Sequence, residues 1–127
     1  MRVHHIAISV RDAEQSKKFY QEHFGFVETN SFTKPGWDGS AKILELDTIR
    51  LEIFQFDSKV EKKDDLNDLK VLGLKHIGFE VESVAEKHRE LKEKGVDIDE
   101  PKKGTTCAWF CFLRDPDGIP LELFEPR

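Results

Sequence analysis

VHHIAISV, residues 3–10, returns as LKHIGFEV at residues 74–81. Downstream, LEIF at 51–54 returns as LELF at 121–124, with glutamate second in both. The histidine-to-glutamate separations, 52 − 5 = 47 and 122 − 76 = 46 residues, agree to within one. An internal repeat of about 70 residues is too long for a solenoid unit and suits two sibling modules.

Strand alternation sorts the side chains of the repeated stretch. His4, Ile6, Ile8 and Val10 share one face of the first strand; Val3, His5, Ala7 and Ser9 share the other. In the echo, Ile77, Phe79 and Val81 are the apolar face and His76, Gly78 and Glu80 the opposite one. Each strand sets a histidine beside a small residue, Ala7 or Gly78, on the face away from the core, which leaves room for a cavity. Asp12 with Gln15, and Ser83 with Glu86, have capping-box spacing and predict two helix starts. The first helix is expected to run to Phe24, bury Phe19 and Tyr20, and stop at Gly25; the second buries Val84 and Leu91 and stops at Gly95. Strand patterns follow each helix: Phe26 to Thr33, AKILEL and IRLEIFQF in the first half; VDID, CAWFCFL and PLELFE in the second. Each half therefore reads strand, helix, three strands. The modules are expected over 1–56 and 74–127, joined by a charged linker at 57–73 with room for a helical turn.

At 127 residues the chain is expected to be a single domain able to bury a real core. Its 20 basic and 25 acidic residues are interspersed and sum to −5, which leaves no electrostatic footprint for a nucleic-acid partner. No apolar run approaches the roughly 20 residues of a membrane span, and MRVHHIAISV is a strand pattern rather than a signal peptide. The expectation is a soluble, cytoplasmic protein with neither nucleic acid nor membrane as partner. Cys107 and Cys111 stand four apart in a strand pattern, about 13 Å of extended chain and beyond disulfide reach. They are expected to be buried and inert.

Glu52 and Glu122 lie inside apolar strand sequences, where an unpaired carboxylate costs several kcal/mol in desolvation. If the halves pack about a pseudo-twofold axis, His5 and Glu52 face His76 and Glu122 across a shared cleft. Two imidazoles and two carboxylates suit a divalent metal, and two carboxylates neutralise its charge. A histidine–glutamate hydrogen-bond network is the alternative. His4, on the opposite strand face from His5, and His23 and His88, on the helices, are expected to be bystanders. Trp37, in the loop KPGWDG, is a better candidate for a ligand contact than Trp109 because loops over a scaffolded cavity often touch substrate.

VHHIAISVRDAEQSKKFY, LGLKHIGFEV and DPDGIPLELFE together resemble the vicinal oxygen chelate superfamily, in particular its short glyoxalase I-like members. The likeness covers nearly the whole chain, with the linker and the 30–42 loop less matched. It implies an α+β fold of two βαβββ modules forming a curved sheet around a metal cleft. Carried over by position, it implies His5, Glu52, His76 and Glu122 as ligands to one divalent ion: nickel, zinc, cobalt, manganese or iron. It also implies a homodimer, with ligands drawn from one chain or from two.

The implied chemistry is that of a glyoxalase-type lyase or isomerase acting on a small molecule with adjacent oxygens. A thiol hemithioacetal would pass through an enediolate, with Glu122 as base and Glu52 able to serve on the opposite face. Ser9 and Phe56 stand where glutathione-using members carry arginine and asparagine, so with Trp37 they are the candidate substrate-binding residues and glutathione itself loses its recognition groups. Fosfomycin-type thiol transferases and extradiol dioxygenases use two histidines and one glutamate, and Glu52 argues against both. Acyl-thioester epimerases often carry glutamine there. A metal-free binding module of the bleomycin-sequestering kind lacks the ligand set retained here.

Overall fold

Two capping side chains set where the helices begin. In the computed structural model, which describes residues 1–61 and 64–127, the Asp12 carboxylate accepts from the Gln15 amide at 3.0 Å and the Ser83 hydroxyl from the Glu86 amide at 3.2 Å. Such a cap contributes about 1 kcal/mol over alanine. Helix α1 (Ala13–Phe24) ends at Gly25, whose φ of 80° lets the chain turn left-handed, and the Phe26 amide reaches back to Tyr20 O at 3.3 Å. Helix α2 (Val84–Glu93) closes on Lys94, followed by Gly95 at φ 78°.

The first unit, Met1–Lys62, adds β1 (His5–Ser9), β2 (Val27–Phe32), β3 (Gly39–Leu46) and β4 (Ile49–Phe56), in sheet order β1-β4-β3-β2. The second, Lys63–Arg127, adds β5 (Ile77–Glu80), β6 (Lys102–Lys103), β7 (Trp109–Arg114) and β8 (Pro120–Glu125), in order β5-β8-β7-β6. The orders match position for position. In both, the first strand lies parallel to the last and the remaining pairs are antiparallel. The fold class is α+β, built of two βαβββ modules.

Helix α1 packs on β3 and β4, and α2 on β7 and β8. Period-two alternation decides what they cover. Leu51 and Ile53 of β4 and Tyr20 of α1 are buried in one unit; Leu121 and Leu123 of β8 with Val84 and Leu91 of α2 are buried in the other. Burying each such side chain stabilises by about 1.5–3 kcal/mol. Each last strand also holds its helix by a bond not anticipated from the sequence: Gln55 Oε1 accepts from the Ala13 amide at 2.6 Å, and Glu125 Oε2 from the Val84 amide at 2.8 Å. Each lies three residues after the strand's glutamate. The first helical amide is therefore fixed to the strand that carries Glu52 or Glu122.

Three expectations are corrected. VDID forms no strand of its own: Ile98 makes an isolated bridge to Leu113, and regular pairing resumes only at Lys102–Lys103. Pro101 stands between them with no amide to donate, while Asp99 is held by a two-pronged pair to Arg114 at 2.7 and 3.1 Å. Phe19 is half-buried rather than buried, packed edge-on against Tyr20 and His23. In CAWFCFL the strand begins at Trp109, although Cys107 and Cys111 are both buried and free as expected. Of the linker, residues 62 and 63 fall outside the described part; 64–73 carries single turns closed by Asp68 N to Asp65 O and Val71 N to Asp68 O.

A charge network ties α1 to β2 and β3. Lys17 and Lys42 each contact Glu14 at 2.8 Å and reach Glu28 at 3.0 and 3.4 Å. Hydrogen bonds from Lys17 and Lys42 lower the Glu14 carboxyl to about 2, from an ordinary 4.5. A depressed carboxylate contributes stability above its unfolded value and loses it as pH falls through the folded one. Glu14→Gln is therefore expected to lower the melting temperature at neutral pH, with the gap from wild type closing between pH 4.5 and about 2. Because Glu14 is exposed, high salt should shrink the gap. Thermal melts across pH at two salt concentrations check this; a gap independent of pH would remove Glu14 from the network's role.

Candidate metal centre

In the first unit the parallel register of β1 on β4 sets Ala7 opposite Glu52, and His5 stands two residues earlier on the same face. The His5 Nε2 to Glu52 Oε2 distance is 3.8 Å. In the second unit β5 on β8 sets Gly78 opposite Glu122, with His76 again two residues earlier, and His76 Nε2 lies 3.1 Å from Glu122 Oε2. The same kind of pair thus recurs in both units, His76 standing one residue before β5 begins. The carboxylates are half-buried, 24% and 20% exposed, so water rather than a fully dry interior offsets part of their desolvation. Beside Glu122 there is room: a methyl at Gly78 would meet Oε2 at an ordinary 3.6 Å.

Two donors bound to one ion at about 2.1 Å each stand roughly 3.0 Å apart at a right angle and about 3.4 Å apart in a tetrahedron. The second pair already has that spacing, and the first lies a few tenths of an ångström beyond it. The donor types, imidazole nitrogen and carboxylate oxygen, suit the borderline divalent metals. Among the described residues no group of three or more His, Cys, Asp or Glu side chains gathers as a metal cage, so the four expected donors are present as two pairs.

His4 departs from expectation. The strand begins at His5, so alternation does not govern residue 4, and His4 Nδ1 lies 3.0 Å from His5 Nδ1 with the rings edge to face. Arg50, opposite His5 in the register, brings its guanidinium to 3.0 Å from His4 Nε2. His23 and His88 sit on the helices, His88 buried with Glu100 at 3.7 Å. His76 instead has the Phe112 ring against it, centroids 5.1 Å apart.

The substrate candidates Trp37, Ser9 and Phe56 fall in one neighbourhood of the first unit. Trp37 packs on Phe56 at 5.0 Å, Phe32 at 5.9 Å and Phe54 at 6.1 Å, and Ser9 is the register partner of Phe54. Phe54 and Phe56 are stacked and continue the face of Glu52 by steps of two. The Lys34 ammonium lies 5.2 Å from the Trp37 ring centre. Phe54, Phe32 and Lys34 were missed from sequence; the spacing Glu52, Phe54, Phe56 was the available signal for the first. Cys111 is no ligand candidate. Burial first, then the nearby charges of Asp99, Glu100 and Glu122, push its thiol up to about 11, so it is protonated at neutral pH.

The whole chain also has known counterparts. It is 36% identical over 126 residues to the protein YwkD of Bacillus subtilis, covering 97% of this chain and 95% of that one. The crystal structure of a glyoxalase family protein from Enterococcus faecalis superposes with a TM-score of 0.83 at 31% identity, over 98% of this chain and 97% of that one. The trypanothione-dependent glyoxalase I of Leishmania major superposes with a TM-score of 0.76 at 27% identity, over 98% and 86%. The family described as Glyoxalase/Bleomycin resistance protein/Dioxygenase superfamily matches residues 2–123. Repeat and sheet order thus meet in one assignment, and this chain belongs to that superfamily.

Proposed function

We propose that this chain is a metal-dependent lyase or isomerase of the glyoxalase I type, acting on a small molecule with adjacent oxygens. The observation that carries the reading is the histidine–glutamate pair that recurs in both units, at 3.8 and 3.1 Å. His5, Glu52, His76 and Glu122 would together hold one divalent ion: nickel, zinc, cobalt, manganese or iron. When bound, such an ion supplies Lewis-acid stabilisation of a developing oxyanion.

The rest of the chemistry belongs to the side chains. Glu122 accepts the proton from the carbon next to the substrate carbonyl and returns it to the neighbouring carbon, the proton movement of a hemithioacetal becoming a 2-hydroxyacyl thioester. Glu52 is the second choice for this role. Trp37, Phe54 and Phe56 receive the apolar body of the substrate beside Glu52, with Lys34 suited to an anionic group at the same end. Ser9 and Phe56 offer neither the charge nor the amide pair expected of a glutathione site, which favours a different thiol adduct. The reading includes a cytoplasmic homodimer; two free, buried thiols suit a reducing compartment. None of the described helices is long and apolar enough to cross a membrane.

Calorimetric titration of chelator-treated protein with nickel, zinc, cobalt and manganese tests the reading. One divalent ion per chain is expected. His5→Ala and His76→Ala should each weaken binding by more than the about 10- to 100-fold typical of losing an outer-shell partner. Failure of all four metals to bind would leave a metal-free small-molecule-binding module as the better description.

A further inference from the structure

The geometry points to a binding site for an aromatic ring that carries an anionic group, built on the Glu52 face of the first unit from Trp37, Phe54, Phe56 and Lys34. Across β2, β3 and β4 the register sets Phe32, Ala41 and Phe54 side by side. Ala41 leaves space between the two rings, and Trp37 comes in from its loop to within 5.9 Å of Phe32, 6.1 Å of Phe54 and 5.0 Å of Phe56. Gly39, the register partner of Phe56, is the second small position. A methyl group there would meet Phe56 Cδ1 at 2.8 Å and Gln55 O at 2.1 Å, so only glycine leaves the Phe56 ring where it stacks with Phe54, the two planes 12° apart. All four rings are half-buried, whereas Leu51 and Ile53 on the other face of β4 are closed off. A flat aromatic ligand can add offset or edge-on ring contacts to such a cluster, which an aliphatic ring of the same size cannot.

Lys34 decides the charge of the ligand. Its ammonium lies 5.2 Å from the Trp37 ring centre and 5.9 Å from that of Phe32, and among the described residues it has no carboxylate partner. A cation held at the rim of the rings is free to pair with an anion. Glu52, two residues before Phe54 on the same strand face, repels an anion from the other side. The two charges order the ligand, its anionic group toward Lys34 and the rest of the molecule toward Glu52. The second unit lacks this pattern. There the register pairs Phe112 with Glu122 and Phe124 with Glu80, and among the described residues no lysine or arginine stands over either ring. That the ligand is the substrate rests on the function proposed above, which makes the aryl anion the end of the substrate remote from its adjacent oxygens. Binding of that end needs no metal.

Phenylacetate, phenylacetamide and cyclohexylacetate are suitable probes, alike in size and differing in charge or aromaticity. Proton–nitrogen spectra of the full chain resolve the indole signals of its two tryptophans, assigned with Trp109→Phe, first after chelation and then with zinc added. Phenylacetate should shift the Trp37 signal saturably in both states and leave the Trp109 signal in place. It should bind about 2- to 10-fold more tightly than cyclohexylacetate, because ring contacts add to area burial. Over phenylacetamide the gain should be about 2- to 5-fold, the range of an exposed ion pair. Lys34→Gln should erase the preference for acid over amide and keep the preference for the aromatic ring. Equal binding of cyclohexylacetate, or an acid preference unchanged in Lys34→Gln, overturns the inference. So does a Trp37 shift that appears only with zinc, since the carboxylate would then be a metal ligand. Protein that takes up no metal yet binds the probes in the expected order keeps this site and loses the lyase reading; protein that takes up metal while the Trp37 signal stays still does the reverse.

Discussion

Glu122→Gln is expected to lower turnover by about 10²- to 10⁴-fold at matched metal occupancy, with a much smaller change in substrate affinity. Glutamine preserves the shape of the side chain and an oxygen donor, but it cannot take up a proton. The loss corresponds to roughly 3–5 kcal/mol of transition-state stabilisation. Steady-state kinetics on hemithioacetals of several small thiols would measure it, with metal content determined for each preparation. Wild-type turnover in deuterated water should also leave solvent deuterium at the product carbon, to the extent that the abstracted proton exchanges. Full activity of Glu122→Gln would remove Glu122 from the base role and pass it to Glu52, which sits in the matching register on β4.

Stripping the metal is expected to lower the melting temperature on the order of 10 °C. A ligand that binds only the native state at a hundred times its Kd adds about 2.7 kcal/mol. For a chain of this size each kcal/mol moves the midpoint by roughly 3–6 °C. Differential scanning calorimetry before and after chelation, then after readdition, reads the shift. A chain carrying both His5→Ala and His76→Ala should melt at the same temperature in all three states. An unchanged wild-type midpoint at saturating metal would contradict the four-donor reading.

The parts of this molecule legible from sequence were those governed by a short, fixed period. Alternation placed His5 with Ala7 and Ser9 on the exposed face of β1, because a strand repeats every two residues; that Glu52 shares this face is set by the register of β1 on β4. Asp12, Ser83 and Gly25 marked helix ends through local backbone chemistry that needs no distant partner. Illegible were features set by where a strand stops. His4 lies one residue before β1 begins, so its ring turns to His5 rather than to the core face. VDID has strand composition, but its pairing with β7 stops at a single bridge before Pro101, which has no amide to donate. Nor could the anchors Gln55 and Glu125 be seen, since their partners lie 42 and 41 residues away.

The register that places Ala7 opposite Glu52 and Gly78 opposite Glu122 also decides which length changes the chain can survive. A residue inserted or deleted within β4 or β8 would turn every following side chain to the opposite face. Glu52 would trade places with Leu51 or Ile53, sending a carboxylate under α1 and a leucine or isoleucine onto the face it left. Segment 57–73 holds no strand or helix among its described residues, so added length there leaves both registers intact. Descendants of this sequence are free to drift in the length of that join, while the strands on either side tolerate substitution but not a change of count.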